Sequence, residues 1–246
     1  MEKDLSELVE RLKQAAGSNL KSVVLYGSAA SDEFHAKHSD LNVLCVLERL
    51  DASELEKLNP PATWWSRKGH PAPLVFTRDE LRTSADVFAI ELLDIQASHR
   101  VLFGEDFFTR LEVPTSLHSL QVERELRTNL IRLRQRYLVV PRDLKALLGV
   151  MTSSVSTFTT LFRHALLVLG EAPARSKRSA VDALAASLGF DGSGFHAVLD
   201  VREGKRLESQ VDVLVTFRSF LAAVTHVTEE MDRRLAAGQG KAMSGK

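Results

Sequence analysis

The sequence predicts an α+β protein: a small mixed β-sheet with helices, followed by an α-helical bundle. Three short apolar runs bounded by turn residues, Ser22–Tyr26, Asp40–Leu47 and Pro73–Phe76, read as strands, and all lie in the first 112 residues. From about Leu120 the strands vanish and apolar residues recur at helical spacing. The chain of 246 residues is long enough for two cores. The expected division is an α/β unit over 1–112, a helical unit over 113–237, and a flexible Gly- and Lys-rich tail over 238–246.

The elements follow in order. Leu5, Leu8, Val9 and Leu12 lie at helical spacing, and Gly17-Ser18-Asn19 ends that helix. Ser22–Tyr26 is a strand closed by a sharp turn at Gly27-Ser28. A polar loop rich in Ser, Asp and His leads to the strand Asp40–Leu47. A helical stretch, Ala52–Leu58, is expected to break at Asn59-Pro60-Pro61, because an interior proline removes a hydrogen bond and clashes with the preceding turn. Trp64 and Trp65 beyond the break are read as a buried pair anchoring a loop. After the third strand, Thr77-Arg78-Asp79-Glu80 has the form of a capping box. In the second half, Leu120, Leu126, Leu130, Leu133 and Tyr137 are expected to share one helix face. Arg124, Arg127, Arg132, Arg134 and Arg136 flank it as snorkelling side chains. Val150–Leu169 and Val211–Leu235 are further helices.

Composition excludes several classes. Lys+Arg and Asp+Glu each number 32, so the formal net charge is zero, and a protein gripping nucleic acid through bulk charge is not expected. The single cysteine, Cys45, cannot form an internal disulfide and is read as a buried, inert thiol. The charged start Met1-Glu2-Lys3-Asp4 lacks the apolar run of a signal peptide. No apolar stretch reaches the about 20 residues that span a bilayer. A cytoplasmic protein without membrane contact is expected.

The most informative pattern is Gly27-Ser28, a ten-residue spacer, then Ser39-Asp40-Leu41-Asn42 heading an apolar strand. With Val23-Val24-Leu25-Tyr26 before it and helices downstream, this stretch of about 25 residues resembles the nucleotidyltransferase superfamily, which includes DNA polymerase beta and the antibiotic nucleotidyltransferases. A weaker likeness, in Val101-Leu102-Phe103-Gly104 and the element order, extends over the α/β region. The resemblance implies Mg²⁺-dependent transfer of a nucleoside monophosphate from a triphosphate, probed first with ATP, to a hydroxyl on a small molecule or a protein. Such transfer is in-line displacement at phosphorus, where the protein positions groups and neutralises charge.

On a strand, side chains two apart share a face, so Asp40 and Asn42 are expected to project together while Leu41, Val43 and Cys45 face core. The resemblance implies Asp40 and Asn42 as metal ligands and Gly27 with Ser28 as triphosphate-binding residues. Asn42 stands where the superfamily has a second carboxylate, and an amide brings no negative charge. The third strand, Pro73-Leu74-Val75-Phe76, carries no acid. Asp79, Glu80, Glu91 and Asp94 are nearby substitutes. Glu80 is better used as a cap, and Glu91, spaced with Phe88, Leu92 and Ile95, is the candidate base or third ligand if it turns inward. The alternative is a catalytically degenerate member that binds a nucleotide or a partner. His35 and His38 in the spacer are read as solvated loop residues. The helical unit is expected to bind substrate or to dimerise.

Overall fold

A computed structural model of the chain describes residues 1–30, 40–140 and 143–244, with side chains through residue 236. The chain divides into two compact units, Met1–Thr115 and Ser116–Lys246.

In the first unit, α1 (Glu2–Ala16) leads into β1 (Leu20–Tyr26), a 3₁₀ turn (Gly27–Ala30) and β2 (Asn42–Leu47). Then follow α2 (Ala52–Arg67), β3 (Leu74–Thr77), α3 (Arg78–Thr83), α4 (Ala89–Ala97) and β4 (His99–Gly104). The sheet order is β3-β2-β1-β4: β1 runs antiparallel to both β2 and β4, and β2 parallel to β3, so the sheet is mixed.

Both faces of the sheet are covered, and the two-residue period of the strands sorts the side chains between them. Val23, Leu25, Val43 and Cys45 pack with Leu5, Leu8 and Leu12 of α1 and with Leu58 and Trp65 of α2. Val24, Leu44 and Val46 pack on the other face with Leu81, Leu92, Ile95 and Phe108. Gly104 ends β4 at φ 78° where β4 presses on β1, and a Cβ there would lie 1.9 Å from the Lys21 carbonyl oxygen. Only glycine fits that approach.

One expectation fails here for a packing reason. The helix α2 does not break at Pro60-Pro61 but runs through both to Arg67. Glu54, Leu58, Pro61 and Trp65 fall on one buried face. An interior proline costs about 3 kcal/mol. Burying Leu58 and the large Trp65 at about 25 cal/mol per Å² of apolar surface offsets much of that cost. Trp65 is thus a helical core residue rather than a loop anchor. Trp64 is half-buried, with the guanidinium of Arg11 4.5 Å and Lys68 Nζ 5.4 Å from its ring centre.

The second unit is helical: α5 (His118–Val139), α6 (Leu144–Val168), α7 (Lys177–Leu188), α8 (Ser193–Arg202) and α9 (Val213–Ser244). Its core is built around Phe158, Phe162, Phe195 and Phe220, with the Phe195 and Phe220 rings stacked at 4.1 Å. On α5 the buried face is His118, Val122, Leu126, Leu130 and Leu133, and Leu120 is exposed. Leu120 is six residues before Leu126, which at 100° per residue puts it roughly 120° off the stripe; Val122, four residues before, falls about 40° off and is buried instead. The flanking arginines are exposed, and Arg127 pairs with Glu123 and Asp232. Among the described residues no helix is long and apolar enough to cross a membrane.

Candidate active site

The chain's most informative motif converges on one end of the sheet, where β1 stops and β2 and β4 begin. Tyr26, the last residue of β1, pairs with Asn42 on one side and His99 on the other. The chain then turns at Gly27, whose φ of 76° lies in the left-handed region open to glycine. The turn is stitched to the α4–β4 junction: Gly27 N–H donates to the Ser98 carbonyl at 3.3 Å, and Ser98 Oγ donates back to the Gly27 carbonyl at 3.3 Å. Ser28 follows, half-buried in the 3₁₀ turn.

Asn42 is half-buried beside this turn. Its Nδ2 lies 3.4 Å from where a Cβ on Gly27 would stand. The amide therefore presents its NH₂ to the turn. Asp40 departs from the expected placement: β2 begins at Asn42, and Asp40 lies ahead of it, exposed, with Leu41 buried in between. Leu41, Val43 and Cys45 do face core. Burial pushes the Cys45 thiol up to about 12, so it stays protonated and inert.

The candidate acids do not assemble here. Glu91 was expected to turn inward but is exposed in the first turn of α4, where Ala89, Ile90, Leu92 and Ile95 are buried instead. It precedes Ser98 by seven residues, about 10 Å of helix rise from the end that touches Gly27. Asp94 is half-buried on the same helix. Glu80 is spent on the capping box: its backbone N–H donates to Thr77 Oγ1 at 3.1 Å, and its carboxylate accepts from Thr77 N–H at 2.7 Å. Ser39, His35 and His38 lie outside the described residues.

Two histidines that sequence reasoning passed over border this end. His70 lies against Trp65, with ring centres 4.3 Å apart. Burial lowers its pKa, while the carboxylates of Asp40 and Asp4 pull the other way; the amino terminus and Lys68 add to the lowering. In the parallel pairing Leu44 sits beside Leu74, and Asp40 and His70 are each four residues upstream of that pair. Strand pairing is the signal that would have found it, and it is not readable from one sequence. His99 Nδ1–H donates to the Ile95 carbonyl at 2.9 Å, and Nε2 lies 3.2 Å from Asp106 Oδ1. Burial pushes Asp106 up, but hydrogen bonds from the Thr109 hydroxyl and N–H, His99 and Phe108 N–H outweigh it and bring Asp106 down to about 2.

Among the described residues, these side chains do not assemble a three-ligand Mg²⁺ site. Asp40 is one exposed carboxylate, Asn42 is an uncharged amide, and β3 brings no acid. No three His, Cys, Asp or Glu side chains among the described residues are placed to share an ion. Octahedral Mg²⁺ wants oxygen ligands, carboxylates above all.

No protein-family model and no curated protein sequence matches the chain. Solved structures do. One is the spectinomycin adenyltransferase AAD(9) from Enterococcus faecialis, solved with ATP and spectinomycin. The likeness has a TM-score of 0.61 at 13% sequence identity and covers 94% of this chain and 99% of that one. The likeness spans both the sheet-bearing half and the helical half, so the chain shares the fold of that structure.

Proposed function

We propose that the protein transfers a nucleoside monophosphate from a nucleoside triphosphate to a hydroxyl of a small molecule, at the sheet end formed by Gly27, Ser28, Asp40 and Asn42. The observation that carries this reading is the meeting of the left-handed Gly27 turn with the Asn42 side chain, within a fold shared with an enzyme solved with ATP. The turn lets backbone approach the phosphates, and Ser28 lies next to it. The Asn42 NH₂ donates to a phosphate oxygen. The acceptor oxygen forms a bond to the α-phosphorus, the bridging P–O bond breaks, and pyrophosphate leaves. The hydroxyl proton passes to Asp40, the exposed carboxylate at this end. Glu91, exposed in the first turn of α4, is not given that task. Mg²⁺ belongs to this reading only as a counter-ion that the nucleotide itself carries.

The test is pyrophosphate release from ATP in the presence of spectinomycin and a panel of other polyhydroxylated amines. Release that needs an acceptor and falls about 100-fold or more in Asp40→Ala supports the reading. Release from no acceptor, or release unaffected by Asp40→Ala, overturns it.

A second reading has an observation of its own. The missing acid on β3 and the amide at position 42 favour a protein that binds a nucleotide or partner and no longer turns over. ATP binding with no transfer to any acceptor would select it.

A further inference from the structure

A second concave surface lies away from Gly27 and Asn42, at an edge of the sheet. β3 has β2 on one side and, among the described residues, no strand on the other. Thr77 caps α3, and the chain leaves that helix through a turn in which the Val87 and Phe88 N–H groups both donate to the Ser84 carbonyl at 3.0 Å. The turn brings Phe88 back toward β3. A cavity of about 260 Å³ lies there, lined by Val75, Phe76, Glu80, Thr83, Ser84 and Phe88. Phe76 pairs with Val46, four residues beyond Asn42 and so about 13 Å along β2 from the candidate active site.

The walls of this cavity are apolar and open to solvent. Val75 and Phe76 are half-buried, and Phe88 keeps 43% of its surface exposed. Its polar side chains are of one kind only. Ser84 gives both its hydroxyl proton and its N–H to the Glu80 carbonyl. Thr83 gives its hydroxyl proton to the Asp79 carbonyl at 2.8 Å. Both hydroxyl oxygens therefore keep only lone pairs for a ligand. Glu80 holds the Thr77 N–H and hydroxyl through Oε2, at 2.7 and 3.0 Å, and its Oε1 has no partner among the described residues. The arginines of α3 are engaged elsewhere, Arg78 with Glu105 at 3.2 Å and Arg82 with Asp79 at 3.5 Å. Two phenyl rings thus share a cavity with an unpaired carboxylate oxygen and two acceptor hydroxyls.

We infer that this cavity binds a small organic cation, an ammonium or amidinium group carried on a body the size of one aromatic ring. The charged group donates to Glu80 Oε1 and to the Thr83 and Ser84 hydroxyl oxygens, while the body rests on the Phe76 and Phe88 rings, whose faces also attract the charge. A neutral molecule of the same shape lacks that charge, and an anion meets a carboxylate with no donor side chain beside it. Drug-sized ligands fill about 300–1,000 Å³, so this cavity takes something smaller. The site is separate from nucleotide transfer and holds for either reading of turnover.

Amide NMR of the full chain during addition of phenethylamine tests this, with benzyl alcohol and phenylacetate as the neutral and anionic counterparts. Wild type is expected to show saturable shifts at Phe76, Glu80, Ser84 and Phe88 with a Kd of about 1 mM, as suits a ligand of so few atoms. The alcohol and the acid are expected to bind about tenfold more weakly or not at all. Glu80→Gln removes the charge yet keeps the capping box, in which Gln also serves, and is expected to weaken the amine about tenfold. Phe88→Ala, at an exposed position, is expected to weaken it about fivefold. Circular dichroism verifies that both variants are folded. Equal binding of amine and alcohol overturns the inference, because the carboxylate then contributes nothing. Binding that neither substitution weakens, or shifts gathered away from β3 and the α3–α4 turn, overturns it by placing the ligand elsewhere. No saturable shift up to about ten times the expected Kd also overturns it. None of these outcomes bears on nucleotide binding at Gly27 and Asn42.

Discussion

The two units treat their polar groups in opposite ways. In the sheet-bearing unit, Asn42, Asp40, Ser28 and His70 lie half-buried or exposed at one end of a sheet whose two faces are sealed by apolar side chains. In the helical unit, His118 and His164 are 5% and 1% exposed and spend themselves on each other, Nε2 to Nδ1 at 2.9 Å. The first arrangement keeps polar groups available to a ligand at little folding cost. The second satisfies a buried polar pair internally and offers nothing to solvent. Accessibility, rather than residue type, separates a candidate site from a structural pair.

Several substitutions would break or sharpen this contrast. The largest effect is expected at Gly104, away from both polar groups. Gly104→Ala forces a Cβ into the Lys21 carbonyl at a φ that disfavours it, and should cost about 4 kcal/mol by chemical denaturation. A loss under 1 kcal/mol would mean β4 can move off β1.

The next effect is a pH dependence confined to the helical pair. Burial, with the neighbouring His164 adding to it, lowers His118 to about 4. A histidine depressed in the folded state is protonated first in the unfolded chain. Its neutral form therefore costs no stability above pH 6.5, and stability is lost as pH falls from about 6.5 toward 4. The span corresponds to about 3 kcal/mol. Urea midpoints measured across that range should fall less steeply in His118→Gln than in wild type, the carboxylates contributing equally to both. Parallel curves would contradict a buried neutral His118.

A smaller change is expected at Ser22, fully buried in β1 with no partner for its Oγ among the described residues. Ser22→Ala should stabilise by about 1 kcal/mol, read as a raised melting temperature, because it removes an unsatisfied polar group. The smallest change concerns the site itself. Asp40 raises His70 against the lowering by burial, so Asp40→Asn should move the His70 titration to lower pH in an NMR titration. An unmoved His70 would separate the two residues.

The sequence made much of the fold legible because local signals agreed with packing. The strand alternation of Val23–Tyr26 and Val43–Leu47, the Thr77–Glu80 cap and the long helices all depend on residues close in the chain. Pro60-Pro61 misled because the local cost of proline was overruled by the buried face of Leu58, Pro61 and Trp65, which only tertiary contact supplies. At the site, Gly27, Ser28 and Asn42 were legible as a motif with a fixed spacing. Three features were not. Whether Asp40 stands on the strand depends on where pairing begins, the direction of the Asn42 amide depends on the turn beside it, and the position of His70 depends on how β3 pairs with β2.

The central claim is that the nucleotide binds at the Gly27–Asn42 end of the sheet. Backbone and side-chain amide NMR of the chain during ATP addition tests it most directly. The account predicts saturable shifts concentrated on Gly27, Ser28, Asn42 and Ser98, including the Asn42 side-chain NH₂, while residues around His118 and His164 stay still. Shifts gathered elsewhere, or none at millimolar ATP, would contradict it.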